Sequence, residues 1–305
     1  MTAYLVRRLV HSVFVIVGLM VVVFVVTRML GDAARLMLPI EAPEAQYLAL
    51  RQKLGLDQPL YVQLLQYMLQ QARGDFGMSL WQGVPATQLV LSRFPATLYL
   101  AVSAITFSFL IALPIGTISA IKPRSGIDRL TTVLSFVGIS MPTFWLALIL
   151  ITLLAVNLGW FKTSGYGGPE YLVLPVLSLC SVHIGRIAQV VRSSMLDEMG
   201  KQYVVTARSK GVVERRVVLH HALRNAALPI ITLTADELAG LVNGSVIIEV
   251  IFGWPGIGLL AMEAIERRDF PVIQADVFVV AASVVLLNLF VDLSYAYLDP
   301  RVRFG

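Results

Sequence analysis

Long apolar runs alternate with short polar stretches along nearly the whole chain. Crossing about 30 Å of hydrocarbon takes about 20 mostly apolar residues in a helix. Six runs meet that length, at approximately 9–30, 96–121, 130–156, 171–195, 227–251 and 275–297. The first follows Arg7-Arg8 and stays apolar from Leu9 to Val26. It exceeds the ~7–15-residue core of a signal peptide, and Thr27-Arg28-Met29 is a poor cleavage site, so it reads as a retained anchor.

Residues 31–95 hold the one sizeable stretch between runs. There Leu60, Leu64, Leu65, Met68, Leu69 and Ala72 recur at helical spacing after Asp57 and Pro59, which suit a helix start. Tyr47, Leu50 and Leu54 form a shorter apolar face before Gly55, and Gly74-Asp-Phe-Gly-Met-Ser79 reads as a turn or loop. The expectation is a small helical cap, too small for an independent soluble domain. The division is therefore 1–30 (N-terminal end and first span), 31–95 (extracytoplasmic cap) and 96–305 (five-helix core).

Composition strengthens this picture. Of 305 residues, 57% are hydrophobic and 14% charged, against about 25% charged in soluble domains. The net charge of +5 does not mark a nucleic-acid partner, because the basic residues gather in short loops between apolar runs. A cytoplasmic N-terminus puts Arg7, Arg8, Lys122, Arg124 and Arg129 on the cytoplasmic side, with the basic loop after the fourth run and the tail residues Arg301 and Arg303. Trp160-Phe161, Tyr166 and Tyr171 then flank outer helix ends, where amphipathic rings settle. The single cysteine, Cys180, lies in an apolar run and reads as a small packing residue, which leaves no intrachain disulfide.

The most informative polar island is Tyr203-Val-Val-Thr-Ala-Arg-Ser-Lys-Gly211, followed by His220-His-Ala-Leu-Arg-Asn-Ala-Ala-Leu-Pro229. It predicts a short helix, a glycine break and a second helix re-entering the bilayer. Gly211 can close the first helix in a left-handed conformation, and Pro229 falls near the start of the fifth run, where a missing N–H is tolerated. The composition alone leaves two readings open: a solvated loop that sets topology, or a docking element for a soluble partner. For docking, valines and alanines supply surface to bury, basic residues fix orientation, and a glycine admits close backbone packing.

This island resembles the "EAA" loop of ABC importer permeases, in the dipeptide/oligopeptide/nickel family. Thr206-Ala207 fall at the end of the triplet, Gly211 is the spaced glycine, and Arg224-Asn225-Ala226 with Pro229 close the motif. The resemblance continues through Gly31-Asp32, Leu54-Gly-Leu-Asp-Gln-Pro-Leu60, Gly74 to Ser79, Phe94-Pro-Ala-Thr97, Ser140-Met-Pro-Thr-Phe-Trp145 and Arg192-Ser-Ser-Met-Leu196. Glu249-Val-Ile-Phe-Gly-Trp-Pro-Gly-Ile-Gly258, Arg268-Asp-Phe-Pro271, Asn288 to Asp292 and Leu298-Asp-Pro-Arg301 complete it. The resemblance implies an all-α polytopic membrane fold with six transmembrane helices, of the type I importer kind. It also implies a second, homologous permease subunit, two ATPase subunits or domains that bind ATP and Mg, and an extracytoplasmic substrate-binding protein. The substrates it implies are di- or oligopeptides, nickel chelates or related small solutes, with peptides foremost. On this basis 197–226 is the coupling loop, with Thr206, Ala207, Arg208, Lys210, Gly211, Asn225 and Pro229 as its ATPase-coupling residues.

The chain itself carries no G-x-x-x-x-G-K-[ST] phosphate loop, since Gly200-Lys201 is followed by Gln202. No cofactor, catalytic residue or metal site is expected in it.

Ionisable residues within apolar runs are costly and mark function by default. Asp236 and Glu237 stand side by side in the fifth run, about 100° apart on a helix. Two readings stay open: one of them lines a translocation pathway and favours amine-bearing substrates, or they partner a basic residue such as Arg186 or one on the companion subunit. His183 and Arg186 share a face of the fourth run. His183 has no second metal ligand at i+4, and His220-His221 read as loop residues. Asn288 and Asp292 are i, i+4 neighbours suited to tying helices together. Gly253 to Gly258 predicts a tight re-entrant turn narrowing the outer mouth. Glu263, Glu266, Arg267, Arg268 and Asp269 follow on a short helix available for docking a binding protein.

Two other classes compete. A secondary transporter or channel independent of ATPases would account for the intramembrane acids, but the six runs show no internal repeat of the kind such folds often carry. A membrane-embedded enzyme would need a convergent site, for which Asp236 with Asp292 is the one faint candidate.

Overall fold

The computed structural model describes residues 2–29, 35, 38, 43–53 and 55–298. Gly31-Asp32, Leu54, the Asp292 side chain and residues 299–303 lie outside the described residues. The chain is 81% helical, with no strand among the described residues.

Two compact units result, residues 1–95 with 259–285 and residues 96–258 with 286–305. In the first, α1 (Thr2–Met29), α2 (Glu44–Lys53) and α3 (Leu60–Ala72) follow one another. Phe24 of α1 meets Tyr67 of α3 with ring centroids 5.4 Å apart. The Gln63 side chain donates to the carbonyls of Leu56 and Gln58 at 3.2 and 2.7 Å, fixing the turn that leads into α3. Gly74–Ser79, expected as a turn or loop, is non-helical, and Met78 bridges Pro85 in an antiparallel contact. The Ser79 hydroxyl donates to Asp269 at 2.5 Å, and the Arg267 guanidinium lies 3.5 Å from the Trp81 ring centroid.

The helix α4 (Ala86–Ile121) is ten residues longer at its start than the apolar run that announced it. Its residues from Ala96 belong to the second unit, with α5 (Gly126–Ser140), α6 (Thr143–Leu150) and a π-helical stretch, Ile151–Asn157. Then come α7 (Pro169–Met199), α8 (Gln202–Ser209), the single turn α9 (Glu214–Arg216), a second π-helical stretch (Val217–Ala222), α10 (Leu223–Gly244) and α11 (Val246–Phe252). Next is α12 (Ile257–Glu266), and α13 (Phe270–Leu298) closes the described chain. In the second unit α7 is the central helix, packed against α5, α6, α10 and α11. Close approach there depends on glycine. A Cβ at Gly185 would lie 2.6 Å from the Ser135 carbonyl oxygen, and one at Gly138 only 2.5 Å from that of Ser181. Small residues at helix crossings are how apolar helices gain contact in lipid.

The third apolar run, expected as one span, is divided. Met141 is extended (φ −84°, ψ 122°) ahead of Pro142, as steric clash with a following proline ring requires. The two halves bend by 98°. A second bent pair, Val246–Phe252 with Ile257–Glu266, turns through 83° at the glycine-rich segment where a re-entrant turn was expected. Five helices are long and apolar enough to cross a membrane, or up to seven spans if each bent pair counts as one, against the six expected. Six lies within that range, and hydropathy registers apolar length but not the backbone break at Pro142.

Candidate functional site

The polar island folds as an ordered helical elbow. Lys201 is extended (ψ 151°) ahead of α8, which ends at Ser209 with Lys210 as its cap. Gly211 follows at φ +78°, in the left-handed region that side chains disfavour. No heavy atom lies within 4 Å of where its Cβ would stand. The glycine is therefore required by backbone conformation, and the close packing expected of it is absent within this chain.

Inside the elbow, Val204, Ala207 and Val217 form a buried cluster, with Met199, Tyr203 and Val212 packed around it. Ala207, expected at the partner contact, faces this cluster instead. Tyr203 ties the elbow to the end of α7: its hydroxyl donates to Glu198 at 2.6 Å, and Lys201 Nζ reaches the same carboxylate at 2.6 Å. Burial, and then the adjacent Glu198 carboxylate, push the Tyr203 phenol above its ordinary range. Arg208, expected as a rim charge, makes a two-point ion pair with Glu214 across the glycine break, at 2.6 and 3.1 Å. That bond holds α8 and α9 at a fixed angle, and Glu214 raises the Arg208 pKa further above its ordinary value.

The outward surface is formed by Thr206, Lys210 and two of the loop's valines. Val205 is 48% and Val213 73% exposed, with Leu219 at 48%. Their signal was legible: within the island Val204 and Ala207 share one helical face, which leaves Val205 on another. The Asn225 side chain is exposed and donates to the His221 carbonyl at 2.9 Å.

Pro229 does not start a helix. It lies inside α10, which begins at Leu223 and is preceded by the π-helical stretch that holds His220 and His221. An internal proline cannot bond the carbonyl four residues back and clashes with it. The two histidines are thus helical, not loop residues, with rings 5.6 Å apart and nearly perpendicular.

Within the membrane-spanning part, Glu237 of α10 is buried and receives two partners from α7. His183 Nδ1 stands 2.6 Å from Oε2, and Arg186 Nη1 donates to Oε1 at 3.1 Å. Asp236 is exposed and makes no ion pair among the described residues. The adjacency read in the sequence therefore separates two roles: Glu237 turns inward to Arg186 and Asp236 turns outward. Among the described residues no group of three or more His, Cys, Asp or Glu could hold a metal ion.

Two further nodes escaped sequence reasoning as connected units. Asp128, at the start of α5, accepts from Arg192 Nε and Nη2 at 2.5 and 2.9 Å, from the Ser119 hydroxyl at 2.5 Å and from the Arg124 amide at 2.8 Å. Glu249, fully buried, accepts from Thr97 at 2.7 Å, from Ser245 at 3.0 Å and from the Gly258 amide at 2.8 Å. The resemblance had marked Thr97, Arg192 and Glu249 as motif letters; only folding shows which letters meet.

Residues 112–304 match the family described as the inner membrane component of binding-protein-dependent transport systems. Residues 1–101 match its N-terminal companion family. The chain belongs to this family. It is a multi-pass inner-membrane permease subunit. It is 38% identical over 316 residues to the oligopeptide transport system permease protein AppB of Bacillus subtilis, covering all of both chains. It is 39% identical over 306 residues to the glutathione transport system permease protein GsiC of Salmonella paratyphi A, again covering all of both. Among solved structures, this permease resembles the inward-facing MetNI methionine ABC transporter, with TM-score 0.57 and 18% identity over 70% of this chain and 97% of that one. An amino acid ABC transporter crystallised with histidines gives TM-score 0.56 and 18% identity, over 69% of this chain and 94% of that one. These two likenesses establish the fold.

Proposed function

We propose that this permease forms, with a second and distinct permease subunit, the translocation pathway of an ATP-driven importer for di- or oligopeptides. Full-length similarity to permeases of oligopeptide and glutathione systems supports the substrate class. An extracytoplasmic binding protein delivers the peptide, and two ATPase subunits or domains hydrolyse ATP with Mg. Both termini lie in the cytoplasm, residues 31–95 form an outer cap, and residues 197–226 dock on the ATPases. The observation that carries the coupling role is the elbow around Gly211. It presents Val205, Thr206, Lys210 and Val213 outward, while Arg208–Glu214 and Tyr203–Glu198 brace it from within. A braced elbow passes a push from a soluble partner to α7 and α10 without deforming. In the membrane, Asp236 lines the pathway and Glu237 orients Arg186.

The test is uptake and ATPase activity in vesicles holding this chain, its co-encoded permease, the ATPases and the binding protein. Wild type takes up peptide only with ATP. Gly211→Glu, which puts a charged side chain in a left-handed position on the docking face, assembles in the membrane yet loses both ATPase docking and uptake. Uptake that persists without ATPases would overturn the importer reading in favour of an ATPase-independent transporter.

A further inference from the structure

Arg186 lies near the middle of the 31-residue α7. A guanidinium at that depth is expensive unless it faces other protein or a water-filled path. One side of it is accounted for. Nη1 donates to Glu237 at 3.1 and 3.4 Å, and Glu237 is itself buried, 7% exposed, with His183 on its other oxygen. Glu237 thus fixes the guanidinium through one nitrogen. The Nε and Nη2 edge makes no hydrogen bond among the described residues, and 51% of the Arg186 side chain is exposed.

The exposed surface beside it is polar. On α10, Asp236, Gly240 and Asn243 are all exposed at i, i+4 and i+7, and a Cβ at Gly240 would meet nothing within 4 Å. On α7, the Gln189 side-chain nitrogen one turn on from Arg186 is buried rather than exposed, and it has no hydrogen-bond partner among the described residues. A lipid-facing surface of two helices would not place Arg, Asp, Asn and a bare glycine backbone together. The free guanidinium edge is a planar, two-donor fork, the shape that pairs with a carboxylate through two parallel hydrogen bonds.

We propose that the Nε–Nη2 edge of Arg186, positioned by Glu237, binds the C-terminal carboxylate of a peptide as it crosses the pathway. The nearby Asp236 supplies the opposite charge for the peptide's amino group. The permease thereby recognises the zwitterionic character of its cargo inside the membrane, in addition to any selection by the binding protein. This inference rests on the peptide-importer reading.

The experiment compares trialanine with trialanine amide in vesicles holding the complete transporter, with the binding protein in excess. Initial uptake is normalised to assembled complex. Wild type is expected to favour the free acid. Arg186→Gln is expected to lower free-acid uptake at least tenfold and to bring the acid-to-amide ratio close to one, while Arg186→Lys retains part of the preference. Because Arg186→Gln strands Glu237, the paired variant Arg186→Gln/Glu237→Gln provides a complex without an unpaired buried acid, and it too is expected to lose the preference. An unchanged acid-to-amide ratio in both variants, or an equal loss for both peptides, overturns the carboxylate site and points to a structural ion pair with the second permease. If wild type shows no ATP-dependent uptake of either peptide, the peptide-importer reading itself fails and the site falls with it.

Discussion

Thr97 and Glu249 meet at 2.7 Å although 152 residues separate them in the chain. The Thr97 hydroxyl donates to the Glu249 carboxyl group and accepts from the Ile257 amide at 2.9 Å, while Glu249 also takes the Gly258 amide. The Trp254 indole donates to the Ala96 carbonyl at 2.9 Å. Together these bonds pin the glycine-rich turn after α11 to the start of the second unit's part of α4. Glu249→Ala is expected to leave the Gly258 amide and the Thr97 hydroxyl without acceptors in a buried site, at about 1–3 kcal/mol for each group. Thermal unfolding of the detergent-solubilised complex would show a lowered midpoint; an unchanged midpoint would mean the turn is held by the Trp254 and Ile257 bonds alone.

The Arg192–Asp128 pair fixes the end of α7 to the start of α5. Removing one partner of a buried pair costs about 3–5 kcal/mol. Arg192 is only partly buried, which moves the expectation for Asp128→Asn to about 2 kcal/mol. Arg192→Lys cannot reproduce the two-point geometry and should lose a comparable amount. Chemical denaturation of both variants checks this, and equal stability of Arg192→Lys and wild type would contradict the bidentate reading.

Gly211 adopts φ +78°, which costs an L-residue about 1–2 kcal/mol. Because space around it is open, Gly211→Ala is expected to strain the elbow without a clash. Uptake should fall partially, by a factor of several, with ATPase docking retained. Gly211→Glu should abolish both. Copurification of the ATPases with each variant separates strain from lost docking, and identical behaviour of the two would contradict it.

Val213 is the most exposed valine of the elbow. If it is buried by the ATPase, Val213→Asp should weaken docking at least tenfold while leaving the fold intact, since its side chain touches no buried cluster. Val204→Asp instead disrupts the inner cluster and should lower stability. Circular dichroism beside an ATPase pull-down distinguishes them; normal docking by Val213→Asp would remove this valine from the interface.

In the first unit, Asp269 receives the Ser79 hydroxyl at 2.5 Å and the Trp81 amide at 3.4 Å. Asp269→Ala should release the 78–85 turn and leave Trp81 held by Arg267 alone. Limited proteolysis of intact vesicles is expected to cut near Trp81 faster in the variant; unaltered cleavage would show that the turn is held by its own backbone bonds.

The membrane class, most helix positions and the polar island were legible in the sequence, because apolar runs of bilayer length and a basic loop are one-dimensional signals. The left-handed residue at Gly211 was legible for the same reason: a glycine between two helical patterns has a local meaning. Pro142 and Pro229 were visible as prolines, but their outcomes differ for a non-local reason. The first breaks its run by 98°, whereas the second is absorbed within α10 behind a π-helical stretch. Which acid turns inward was also beyond the sequence. Asp236 and Glu237 are equivalent neighbours until α7 presents His183 and Arg186 to only one face of α10. Helical period places side chains around an axis; which of them is buried depends on the helix that packs there, and only the tertiary structure supplies that.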